Sequence, residues 1–256
     1  MAELGYITDA EAAKASKKSV DSMLNPSTNS NGCTSSSAPF YCDYVMHVIR
    51  SSPAFGNTLA ERDAMLRQGG LTITTTMDPV AQAAAQAATE KYIPIKDPSG
   101  KAAAITMIKP GTGDVIAMAQ NRKWGTDGKG NTTYNYNVNR DMGGTIGMQA
   151  GSTFKPFTLA AGLENGVSLA TTFSGKNKTK VQNYVVVNYS GHTYGNSITL
   201  LKATMNSVNS AYVQVADRVG LENVENAAIR AGIPTDTVGM MPNLAFTLGT
   251  ASPHVV

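Results

Sequence analysis

Two periods of hydrophobic spacing run along this chain, and the places where one gives way to the other predict its elements. From Gly5 to Ser19 an Ala/Glu/Lys run follows Thr8 or Asp9, which predicts a short capped helix. The next stretch, carrying Cys33 and Cys42, is poor in apolar positions and predicts a loop. Apolar positions return from Asp43 to Arg50, and Leu59 to Gln68 predicts a second helix closed by Gly69-Gly70. Residues 1–70 are therefore expected to form a linker or small satellite without a core of its own.

The main domain is expected over residues 71–256. Leu71 to Thr76 is β-branched and alternating, which predicts a strand. Asp78-Pro79 supplies an N-cap and a first-turn proline, so the Ala-rich run to Tyr92 predicts a helix. Ala102 to Ile108 and Asp114 to Ala119 predict two strands of a hairpin, joined through Pro110-Gly111-Thr112-Gly113. Asn121 to Gly147, rich in Gly, Asn and Tyr, predicts surface loop. Helical spacing then recurs near Ser152–Leu163, over Leu200–Val219 and over Leu221–Ala231. Strands joined to a block of helices predict an α+β domain with an antiparallel sheet.

Composition changes this picture little, but it narrows the function. A net charge of +3 over 256 residues, with Lys and Arg scattered, argues against a nucleic-acid partner. No apolar run reaches membrane-spanning length, and the polar N-terminus does not read as a signal peptide. The two cysteines, Cys33 and Cys42, are close enough for a short disulfide in an oxidising compartment. Two free thiols are the alternative, and with no His or Cys pair nearby they make only half a zinc site. His47, His192 and His254 show no ligand spacing, so no metal is expected, and His192 reads as a surface residue.

The chemistry concentrates in Ala150-Gly151-Ser152-Thr153-Phe154-Lys155-Pro156-Phe157. A bare S-x-x-K is expected roughly once by chance in such a chain. Pro156 adds weight, because proline is tolerated in a helix only within the first turn. A helix through Pro156 must begin close to Ser152, which places Ser152 and Lys155 one turn apart on one face. Lys155 can alternatively cap that helix, since a residue before proline disfavours the α conformation. In the helical arrangement a buried, neutral Lys155 can take the proton of the Ser152 hydroxyl, and helix N–H groups can receive an oxyanion. A capping serine and a surface lysine are the plainer reading of the same eight residues.

Downstream lies Met205-Asn206-Ser207-Val208-Asn209-Ser210-Ala211-Tyr212, with S-x-N following S-x-x-K. Taken together, G-S-T-F-K-P-F and S-V-N-S-A-Y resemble the first two motifs of penicillin-binding-protein transpeptidases. Gly70-Leu71-Thr72-Ile73 through Met77-Asp78-Pro79, and Lys109 through Ala117, resemble the opening elements of that domain in the bifunctional (class A) members. Leu4-Gly5-Tyr6-Ile7-Thr8 with Glu11-Ala12 resembles the linker after their glycosyltransferase domain.

The resemblance implies a penicillin-binding-protein/serine β-lactamase-like fold, an antiparallel sheet with a helical subdomain, incomplete at the C-terminus. It implies a peptidoglycan D,D-transpeptidase on the extracytoplasmic face of a bacterial membrane, acting on stem peptides and acylated by β-lactams without a cofactor. Ser152 would be the nucleophile and Lys155 its base. Ser207 would relay a proton to the leaving amine, Asn209 would hold the substrate amide, and the Ser152 amide would be half of the oxyanion hole. Tyr184 to Tyr194 would line one wall of the cleft.

One departure stands out. No Lys-Thr-Gly, the family's third motif, follows Asn209. Lys178-Thr179-Lys180 lacks the glycine and lies on the wrong side of S-x-N, so it is no substitute. The resemblance therefore implies a further C-terminal segment, which a second chain could supply, and activity that requires it. A serine β-lactamase or D,D-carboxypeptidase, and a non-catalytic cell-wall-binding module, remain the alternatives.

Overall fold

The computed structural model describes residues 1–19, 24 and 32–253. They fall into two compact units, Met1–Ser37 and Ala38–Val256, so residues 38–70 of the expected satellite group with the main domain. In the first unit, helix α1 spans Asp9–Ser16. Thr8 and Glu11 form a reciprocal capping box, with the Thr8 amide donating to Glu11 Oε2 at 2.8 Å. That cap starts the helix later than the expected Gly5. Cys33 lies in a 3-10 turn, Gly32–Ser35, and is disulfide-bonded to Cys42. Cys42 is not in a loop: it sits in helix α2, Pro39–Ser51, whose first-turn proline fits the cap region.

Within the second unit α2 buries Phe40, Tyr41 and Ile49, and the Tyr41 hydroxyl donates to the Val115 carbonyl at 2.8 Å. Helix α3, Leu59–Gln68, opens on a Thr58/Glu61 capping box and ends at Gly69, as its sequence predicts. The expected strand at Leu71–Thr76 does not form. The segment joins no ladder; its Thr76 hydroxyl reaches the Val115 carbonyl at 2.7 Å, and just beyond it the Asp78 amide reaches that of Ile116 at 2.9 Å. β-branched residues favour extended backbone, but a ladder also needs a partner strand in register. Helix α4, Pro79–Tyr92, starts where Asp78 caps Val80 and Ala81. Its Gln82 side chain accepts from the Met118 amide at 2.8 Å and donates to the Met118 carbonyl at 3.0 Å, fastening the helix to the strand it covers.

That strand belongs to the expected hairpin: β1, Ala104–Ile108, pairs antiparallel with β2, Val115–Gln120. The segment from Asn121 to Gly147, expected as surface loop, is partly interior. It contains the short strand Asn135–Asn139, and Asn121, Asn135, Asn137 and Val138 are buried. Two of its buried asparagines are paired with backbone: Asn121 Oδ1 accepts from the Ala103 amide at 2.8 Å, and Asn135 Nδ2 donates to the Phe40 carbonyl at 3.0 Å. A buried amide satisfied in this way carries little penalty, so polarity alone misplaced the segment.

The helical part follows. Helix α5, Lys155–Glu164, is preceded by a 3-10 turn, Gly151–Phe154. The expected helix over Leu200–Val219 is two helices, α6, Leu200–Met205, and α7, Asn209–Val219, broken at Ser207. Helix α8, Leu221–Arg230, follows Gly220. Phe154, Ala161, Ala216, Val224, Ala228 and Phe246 form the core joining α5, α7 and α8. No helix among the described residues is long and apolar enough to cross a membrane.

Candidate active site

Three backbone features bring the candidate residues together. The first is the 3-10 turn, which leaves Ser152 exposed and carries Lys155 inward to 3 % exposure. Lys155 has φ −56° and ψ −30°, so it is helical despite the following proline and does not act as a non-helical cap. The second is the break at Ser207. The Val208 amide donates to the Ala203 carbonyl at 2.9 Å and the Ser207 amide to Thr204 at 3.1 Å. This is the Schellman closure of α6, with buried Val208 and Ala203 sharing one apolar cluster beneath it.

Glycine usually occupies the left-handed position of that motif, but here it is Ser207, at φ +51°. The strain, about 1 kcal/mol, is offset by the packing around it. The third feature is the start of α7, where Asn209 is the first residue and its Nδ2 donates to the Val187 carbonyl at 2.8 Å.

The Lys155 amine is the hub. Its Nζ lies 3.1 Å from Ser152 Oγ, 2.9 Å from Ser207 Oγ, 2.7 Å from the Ser207 carbonyl and 2.6 Å from Asn209 Oδ1. It also sits over the Tyr212 ring, 5.5 Å from the centroid. Among the described residues no carboxylate forms an ion pair with it. Burial without a counter-charge lowers the Lys155 pKa from 10.5 to about 8.

An ammonium has three donors, fewer than the oxygens around this one. A neutral amine has two, which the Ser207 carbonyl and Asn209 Oδ1 can take because neither can donate. The lone pair is then left for a serine hydroxyl. The arrangement suits a lysine that alternates between the two protonation states.

Ser152, Lys155, Pro156, Leu159, Ala160, Leu163, Thr204, Ser207 and Tyr212 line a cavity of about 350 Å3. Tyr212 and Thr204 were not singled out from the sequence. The Tyr212 hydroxyl and Thr204 Oγ1 are 2.8 Å apart, which fixes the ring under the amine. Asn188, 2 % exposed, was also missed. Its Nδ2 donates to the Gly175 and His192 carbonyls, and its Oδ1 accepts from the Ser210 amide at 2.9 Å, tying residues 184–194 to the start of α7. Nothing in a Val/Asn/Tyr-rich run marks one asparagine as buried.

No residue between Tyr184 and Tyr194 lines the cavity, although Val187 supports Asn209 from behind. Residues 178–180 do not line it either. His192 is exposed and packs edge-on against Tyr194, and His47 pairs with Asp43 at 3.8 Å. His254 lies outside the described residues. Among the described residues no cluster of His, Cys, Asp or Glu could hold a metal ion.

Residues 103–245 match the family model described as the penicillin-binding protein transpeptidase domain. Penicillin-binding protein 1A of Mycobacterium tuberculosis is 33 % identical over 185 residues, covering 72 % of this chain and 20 % of that protein. Penicillin-binding protein 1A of Mycolicibacterium smegmatis is 30 % identical over 182 residues, covering 70 % of this chain and 21 % of that protein. The PonA1 protein of M. tuberculosis, solved in complex with penicillin V, superposes with a TM-score of 0.65 at 28 % identity. That match covers 83 % of this chain and 55 % of that one. The fold defines the class, that of transpeptidase-type domains. This chain belongs to the penicillin-binding protein transpeptidase domain family. It spans about a fifth of the length of the curated relatives just described.

Proposed function

We propose that the protein is a peptidoglycan D,D-transpeptidase in which Ser152 is acylated by a stem peptide and, in its place, by a β-lactam. The observation that carries this reading is the buried Lys155 amine, 3.1 Å from Ser152 Oγ and 2.9 Å from Ser207 Oγ. Neutral Lys155 accepts the Ser152 proton as Oγ bonds to the carbonyl carbon of the penultimate D-alanine. The oxyanion draws on the Ser152 amide, which has no acceptor among the described residues. The C–N bond then breaks. The proton passes from Lys155 through Ser207 to the leaving D-alanine amine, and an ester on Ser152 remains. An acceptor amine from a second stem peptide reverses these roles, losing its proton and forming the cross-link as Ser152 is released. A β-lactam follows the first half alone, since its amine stays tethered after ring opening.

Asn209, its Oδ1 on Lys155 and one Nδ2 hydrogen on Val187, has its second Nδ2 hydrogen left for the substrate peptide. The disulfide and the cell-wall relatives support a location on the extracytoplasmic face of a bacterial membrane. The test is incubation with a peptide ending in D-alanyl-D-alanine, with and without an acceptor amine. Release of D-alanine and formation of the amine adduct, both lost in Ser152→Ala, support the reading. Release of a ligand-free peptide acid as the sole product points to a carboxypeptidase. No release by a folded protein to which a Lys-Thr-Gly segment has been supplied overturns the reading.

A further inference from the structure

The turn that carries Ser152 is gripped from behind by a later segment of chain. The Gly151 amide donates to the Gly249 carbonyl at 3.0 Å, and the Ala150 amide donates to the Ala251 carbonyl at 3.0 Å. Of three successive amides, at 150, 151 and 152, the first two are thus occupied. That of Ser152 alone has no acceptor among the described residues.

The approach is too close for any side chain at 249. A Cβ there would lie 2.0 Å from the Gly151 carbonyl oxygen and 2.4 Å from its nitrogen, both backbone atoms that no rotamer change can move aside. Gly249 also has φ +81°, in the left-handed region. The same segment is confined on its other sides. A Cβ at Gly147 would meet the Ser252 carbonyl oxygen at 2.0 Å, and one at Gly239 would meet that of Thr250 at 2.9 Å. Ahead of it, Phe246 packs against Phe154 with ring centroids 4.6 Å apart, so the segment is anchored in the core beneath the turn.

The geometry points to Gly249 as a positioning residue of the acylation site: its carbonyl occupies the Gly151 amide and sets the plane of the next peptide, whose N–H is the free donor of Ser152. Two neighbouring amides competing for one oxyanion would stabilise it in two places. Withdrawing one of them defines a single site. A side chain at 249 would force the turn away from the segment, free the Gly151 amide and rotate the Ser152 peptide. The Lys155 amine would keep its contacts to Ser207, Asn209 and the Tyr212 ring, and only the one to Ser152 Oγ, which rides on the turn, would change. The inference rests on the acyl-serine reading of the site, and its test separates the two.

The experiment compares the wild-type full chain with Gly249→Ala and Gly239→Ala. Gly239→Ala perturbs the same segment at Thr250 and Ala251, leaving position 249 and its contact with Gly151 without a side chain. Stopped-flow acylation by a fluorescent penicillin gives the noncovalent Kd and the acylation rate constant separately, and amide hydrogen exchange reports the turn directly. In Gly249→Ala the acylation rate constant is expected to fall about 10- to 100-fold, short of losing an oxyanion donor outright. Its Kd changes less than about threefold and its pH midpoint stays that of wild type. Exchange protection at Gly151 is lost while the amides of α5 keep theirs. Gly239→Ala, a milder clash in the same segment, retains most of the rate.

An unchanged rate constant, an intact Gly151 amide, or equal losses in both variants overturns the proposal. If Gly249→Ala does not fold, Gly151 in wild type is the arbiter, since fast exchange there overturns the latch as well. A wild type that is not acylated at all overturns the acyl-serine reading instead, and exchange then judges the latch alone.

Discussion

The Ser207 carbonyl oxygen lies 2.7 Å from Lys155 Nζ because Ser207 occupies left-handed backbone at the end of a helix. A continuous helix through residues 200–219 would keep that carbonyl in the helical hydrogen-bond ladder. The break instead delivers a carbonyl and a hydroxyl from one residue to one amine.

Replacing Ser207 separates the two contributions. Ser207→Gly relieves the left-handed strain and should be more stable than Ser207→Ala by about 1 kcal/mol, read as a shift in denaturant midpoint. Both lose the hydroxyl, so both should slow acylation, by about 10²- to 10⁴-fold. A Ser207→Gly protein that is stabilised yet slow would show that the hydroxyl is kept at this position in spite of the strain.

The lowered Lys155 pKa sets a pH dependence for both rate and stability. Acylation requires the neutral amine, so its rate should climb with a midpoint near pH 8 instead of 10.5. The folded chain holds this proton less tightly than the unfolded chain. Between about pH 8 and 10.5 the unfolded state therefore binds more protons, and stability rises with pH across that window. Below about pH 8 the cost of burying the charged form is fully present. Urea midpoints between pH 7 and 9.5, below the range where buried Tyr212 titrates, should rise in wild type, and the rise should be absent in Lys155→Met.

Tyr212 supports the amine from beneath. Tyr212→Phe keeps the ring and loses the Thr204 bond, so it should cost about 1 kcal/mol with acylation largely retained. Tyr212→Ala opens a cavity under Lys155 and should cost about 3–5 kcal/mol, with the acylation midpoint moving up in pH as water reaches the amine. Thermal unfolding and pH–rate profiles check both.

Asn188 holds residues 184–194 to the start of α7. Asn188→Leu leaves the Ser210 amide and the Gly175 carbonyl without this partner, and should cost about 3 kcal/mol in chemical denaturation. Because Asn209 leans on Val187 from the same segment, substrate binding should weaken more than it does in Tyr212→Phe. Equal binding in the two variants would remove Asn188 from the supporting structure.

The pairing of Ser152 with Lys155 was legible in the sequence, because its signals are local. Pro156 places a helix start within one turn, which sets Ser152 and Lys155 on one face. Asp78-Pro79 and the glycine-rich turn after Lys109 mark the long helix and the hairpin in the same way. The misses depend on partners distant in sequence. Leu71–Thr76 has strand composition but finds no ladder, whereas Asn135 and Asn137 look like loop residues and are buried through bonds to Phe40 and Ala119. The break at Ser207 was hidden because a serine stands where a glycine would have announced the turn.

The central claim is that Ser152 is the acylated nucleophile. Its most direct test is intact mass and peptide mapping after incubation with penicillin, alongside Ser152→Ala. The account predicts one penicilloyl adduct, on the peptide carrying Ser152, absent from a folded Ser152→Ala protein. An adduct that persists in Ser152→Ala, or a folded wild type that takes up none even with a Lys-Thr-Gly segment supplied, would contradict it.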